Sequence, residues 1–158
     1  MRNELQKFNE TVDILVKAYM NDTLKHLDCS ACAVGNLCGG ESIWKMLFMT
    51  DISSGHPYQA PYLQGAKLSF WLDCILDQYS ASSKEELLAR ATAVCEKTGY
   101  TVAELAKIEW AFEAAPSKSK DADDEEWMFN GLMAVVDVLA EIHGVDLEVK
   151  EAAKLMFV

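Results

Sequence analysis

The sequence predicts an all-α protein: a single compact helical bundle of about seven to eight helices, spanning residues 1–158 as one domain. Three observations carry that expectation. Apolar residues recur at three- and four-residue steps through most of the chain, which is the spacing of a helix face. No stretch alternates apolar and polar at period two with β-branched residues, as a half-buried strand would. Capping residues, glycines and prolines punctuate the periodic segments where helices should start and stop. At 51% hydrophobic and 25% charged residues, the chain buries enough apolar surface to offset the entropy of ordering.

Asn3 caps a first helix whose stripe is Leu5, Phe8, Val12, Leu15 and Tyr19, with the helix running to about Leu27. A short second helix is expected over Cys29–Leu37, with Cys38, Gly39 and Gly40 as its exit, because glycine tolerates the left-handed turn that ends a helix. A third covers Glu41–Met49. Thr50–Pro61 carries two of the three prolines and reads as a long loop. Tyr62–Tyr79 is apolar over so much of its circumference that it is expected to be the central helix.

The second half is more sharply marked. Ser83 with Glu86, and Thr101 with Glu104, spell two capping boxes. Gly99 ends the first of these helices, and Pro116 closes the second after Ala115. Asp123 or Asp124 caps a helix ending at His143 and Gly144, with Trp127, Leu132, Val135, Val136, Leu139 and Ile142 inward. Asp146 caps a last helix from Leu147 to about Met156.

The net charge of −11 and pI near 4.6 set the surface against nucleic-acid phosphates, so no nucleic-acid partner is expected. Thr101–Ala115 with the preceding helix has the outline of a helix-turn-helix. Its Glu104, Glu109 and Glu113 against one Lys107 oppose a phosphate-facing role. No window has the apolar length of a membrane span, and the charged N-terminus lacks a signal-peptide core, so a cytoplasmic protein is expected. An odd number of cysteines, five, favours thiols or metal ligands over a disulfide framework.

Chemistry concentrates in HLDCSACAVGNLCGG, residues 26–40. His26, Cys29, Cys32 and Cys38 are the candidate metal ligands, for Zn²⁺ or an iron–sulfur cluster. Three-residue steps put neighbouring ligands on one side of a helix or turn. Against a zinc finger, all four groups are crowded into one short segment instead of two separate ligand pairs. Two other readings stand beside the metal one. The cysteines pack as small core hydrophobes, or Cys29 and Cys32 form a redox pair, which Asp28 opposes because a carboxylate disfavours thiolate.

His56, in the long loop, lacks an orienting acid or a nucleophile turn. His143 is placed to favour the negative end of its helix. The acids at 123–126 lack the order of a calcium loop. No phosphate loop or dinucleotide fingerprint occurs.

With no catalytic set spelled out, the leading expectation is a non-enzymatic binding or adaptor module. Its partner is another protein or a second copy held through an apolar helix face. The alternative is a small metal-binding or thiol-redox protein.

Overall fold

The computed structural model describes residues 3–26, 31–40, 43–44, 81–118, 121 and 124–158. Among them are six helices and no strand: α1 Glu4–Met20, α2 Ala33–Leu37, α3 Ala81–Thr98, α4 Val102–Ala114, α5 Glu125–His143 and α6 Leu147–Leu155. The all-α expectation holds. Ile43 and Trp44, within the helix expected at 41–49, are helical; the rest of that segment, the helix expected at 62–79, the loop at 50–61 and His56 lie outside the described residues, so the count of seven to eight is not reached among those described.

Local chemistry accounts for most helix ends. Asn3 Oδ1 accepts from the Gln6 backbone while the Gln6 side chain accepts from the Asn3 backbone, closing a reciprocal box that opens α1. Thr101 and Glu104 do the same for α4 at 3.1 and 2.9 Å. Ala115, held extended at ψ 147 ahead of Pro116, stops that helix. Asp124 caps α5, left-handed Gly144 ends it, and Asp146 caps α6. Thr101→Ala removes the side-chain acceptor of the Glu104 N–H. It should lower the urea midpoint by an amount worth about 1 kcal/mol, with Thr101→Ser close to wild type.

Two boundaries differ from expectation. α1 stops at Met20, well short of Leu27. Asp22 takes a left-handed conformation (φ 57), and Thr23 folds back so that both its backbone N–H and its hydroxyl donate to the Ala18 carbonyl. The chain through His26 therefore leaves the helix axis and returns across the bundle. α3 already includes Ser83, which is consequently not its N-cap. α2 is shorter than expected, with Cys32 as its N-cap. Gly39 and Gly40 both have positive φ (75 and 77), a consecutive pair of conformations that side-chain-bearing residues rarely adopt.

The helices enclose one contiguous apolar cluster. Phe8, Val12 and Leu15 of α1 meet Val34 and Leu37 of α2, Leu105, Ile108 and Phe112 of α4, and Leu132, Val135, Val136 and Leu139 of α5. Each large side chain buried this way contributes roughly 1.5–3 kcal/mol. Phe112 faces Gly131 and Glu113 faces Trp127, so α4 and α5 run antiparallel in close contact. α6 is clamped to α5 by Lys150 and Lys154 on Asp137, at 3.4 and 2.8 Å. Partial burial raises the Asp137 carboxyl pKa, but Lys154 and Lys150 outweigh it and hold the group below the usual range. No helix among the described residues is long and apolar enough to cross a membrane.

Candidate functional site

The left-handed conformation at Asp22 turns the chain away from α1, and residues 23–25 are tied to residues 31–36. The Lys25 N–H donates to the Ala31 carbonyl at 2.8 Å. The Asn36 amide reaches back from α2 to the carbonyls of Thr23, Ala31 and Cys32, at 3.0, 2.9 and 3.1 Å. Its own oxygen accepts from the Thr23 hydroxyl at 3.1 Å. One side chain thus stitches Thr23 and Ala31 alike to α2. His26 follows directly on residues 23–25.

The His26 side chain is fully buried. Phe112 stacks on one face with ring centroids 4.1 Å apart, and Trp127 on the other at 3.8 Å and 6° from parallel. The Trp127 indole N–H donates to the Glu113 carbonyl, fixing the ring between α5 and α4. Gly131 closes on the imidazole edge: a Cβ there would lie 3.2 Å from His26 Cε1. The Glu113 carboxylate, 6% exposed, sits 3.1 Å from His26 Nδ1. A carboxylate accepts, so Nδ1 carries a proton, and in the neutral form of the ring the lone pair lies at Nε2. That buried Nε2 has no hydrogen-bond partner among the described residues.

Cys32 borders the same region of α4. Its Sγ accepts from the Gly35 N–H at 3.3 Å and lies 4.0 Å from Glu109 Oε1. Glu109 is 1% exposed. A carboxylate this near disfavours a thiolate, which weighs against a redox role for Cys32. Cys95, the half-buried thiol of α3, has its pKa raised by burial.

The sequence-derived set is therefore distributed. His26 and Cys32 each meet a buried acid of α4. Cys38 is buried at the opposite end of α2, about 9 Å further along the axis. Cys29 lies outside the described residues. Among those described, no group of three or more His, Cys, Asp or Glu converges to hold a metal ion.

Sequence reasoning missed Glu109 and Glu113 as site residues and counted them as surface charge. The signal was present: Leu105, Glu109 and Glu113 follow at four-residue steps, one ridge of α4 beside Ile108 and Phe112.

No protein-family model matches the chain, and neither the curated proteins nor the solved structures contain a significant match.

Proposed function

We propose that this is a small metal-binding helical protein in which His26 is the anchoring ligand. The observation that supports it is the buried imidazole held at Nδ1 by a carboxylate while Nε2 lacks a hydrogen-bond partner among the described residues. Orientation of a ligating histidine by a carboxylate on its other nitrogen is a recurrent feature of metal sites, because it sets the tautomer and raises ligand basicity. Leaving a buried nitrogen unsatisfied costs on the order of 1–3 kcal/mol, and a bound cation would remove that penalty.

Cys29 and Cys32, three and six residues on, are the thiolate ligands in this reading. Glu109, beside Cys32, is a better-placed fourth ligand than Cys38. Zn²⁺ suits a mixed N, S and O set. The metal would displace the Cys32 proton, and the cation would offset the repulsion between the resulting thiolate and the Glu109 carboxylate.

Elemental analysis of the full chain, purified without added metal, tests the proposal. About one equivalent of Zn or Fe is expected, lost in His26→Gln and Cys32→Ser and retained in Cys38→Ser. Less than about a tenth of an equivalent in wild type would reject it.

A protein-binding or homodimeric module is the second reading. Met20, Leu155, Met156 and Val158 are all exposed, and the Tyr19–Phe157 ring contact brings their two segments together. Such an apolar end suits a partner surface.

A further inference from the structure

Away from the His26 centre, four polar side chains form a continuous chain from the surface into the interior. Glu4 Oε2 is 2.7 Å from His143 Nδ1, His143 Nε2 is 2.7 Å from Tyr100 Oη, and Tyr100 Oη is 2.6 Å from Thr11 Oγ1. The direction follows from the end that can only accept. His143 Nδ1–H donates to the Glu4 carboxylate, so Nε2 of the neutral ring accepts from the Tyr100 hydroxyl, which accepts in turn from Thr11. The hydrogen bond from His143, aided by Lys7, holds the Glu4 carboxyl below its usual range and keeps it ionised.

Tyr100, Thr11 and His143 lie on the wall of a cavity of about 240 Å³, and Glu10, Glu96 and Lys97 at its edge are exposed.

We propose that this cavity is a reactive site in which Tyr100 is a nucleophile toward small carboxylic esters. A hydroxyl within reach of a base, with that base oriented by a third group, is the general arrangement for activating a nucleophile. Among the described residues, Tyr100 is the hydroxyl that hydrogen-bonds His143; Thr11 acts on Tyr100, donating to the oxygen where phenolate charge develops. The cavity is below the ~300 Å³ at which pockets for drug-sized molecules begin, which restricts the acyl group to a few atoms. The Lys97 ammonium on the wall supplies positive charge for the tetrahedral oxyanion.

In the step proposed, Tyr100 Oη bonds to the acyl carbon and its proton passes to His143 Nε2. The ester C–O bond breaks, and the leaving oxygen takes that proton. Water then attacks the acyl-tyrosine with His143 again as base, releasing the carboxylic acid and restoring the phenol. No oxidant or reductant is required.

The test uses the full-length protein and p-nitrophenyl acetate, following nitrophenolate release and the acetylated peptides by mass spectrometry. Two results support the site: acetyl at Tyr100 formed at least about tenfold faster than at Tyr19, or turnover that Tyr100→Phe abolishes. In either case His143→Gln should slow the reaction at least about tenfold and flatten its pH dependence. Glu4 is exposed, so Glu4→Gln should keep the wild-type circular dichroism spectrum yet slow the reaction several-fold. A chain that serves only to tie α1, α5 and the turn before α4 together would change melting temperature in these variants without selective ester chemistry. Tyr100 acetylated no faster than Tyr19 with no turnover lost in Tyr100→Phe, or rates unchanged in Glu4→Gln and His143→Gln, would overturn the proposal.

Discussion

Trp127→Ala should destabilise the protein by about 3–5 kcal/mol, a large part of the roughly 5–15 kcal/mol that holds a typical domain together. The indole is 3% exposed and is the flat wall against which the His26 ring lies. Its removal opens a cavity beside a polar ring and leaves the Glu113 carbonyl without the indole donor. Two contributions therefore add: lost apolar burial and an unsatisfied acceptor. Trp127→Phe separates them in part, since it keeps a stacking ring while losing the N–H and a smaller share of the buried volume. That variant should lose about 1–2 kcal/mol. Urea unfolding followed by far-ultraviolet circular dichroism measures both. A Trp127→Ala loss below about 1 kcal/mol would mean that the aromatic sandwich contributes little to the core.

Gly131→Val is expected to be the other severe change, and here opposing effects must be weighed. Glycine within a helix is worse than alanine by about 0.5–1 kcal/mol, so propensity alone favours substitution. The space does not allow it. A Cβ at Gly131 would sit 2.7 Å from the Phe112 carbonyl oxygen and 3.0 Å from Phe112 Cδ1. The first of these neighbours is backbone and cannot swing aside, so α5 must move off α4. Overpacking of this kind costs about 1–3 kcal/mol for small additions. Gly131→Ala should thus show a net loss despite its better propensity, and Gly131→Val a larger one, at or above about 3 kcal/mol. Thermal melting orders the series. A stabilised Gly131→Ala would show that the helices are not in this contact.

The helix ends that were legible in the sequence are those fixed by neighbours in the chain. Asn3, Thr101, Asp124, Gly144 and Asp146 act on backbone groups within about one turn; four stand where sequence placed them, and Asp124 is one of the two caps it offered for α5. The end of α1 was misplaced because the competing hydrogen bonds are tertiary as well as local. Thr23 is held by Ala18 and also by Asn36, across a loop whose closure is not visible in any short window. The concentration of His and Cys over residues 26–38 was visible, but their separation was not. Whether Cys32 and Cys38 face one centre depends on a helix lying between them, with Cys32 and Cys38 at its two caps.

His143 was placed correctly at the end of its helix, where a cation suits the dipole. Its role in joining α5 to α1 was invisible, since Glu4 lies 139 residues away. Likewise the acids of α4 entered the argument against phosphate binding as surface charge, whereas Glu109 and Glu113 are turned inward.

By itself the sequence determined that the described chain is helical and where most helices begin and end, because periodicity and capping are short-range effects. Tertiary structure alone decided which polar groups became chemically special. A histidine and a glutamate 87 residues apart acquire an unusual environment only when packing removes water from both. That desolvation belongs to the assembled core and is written in no single segment.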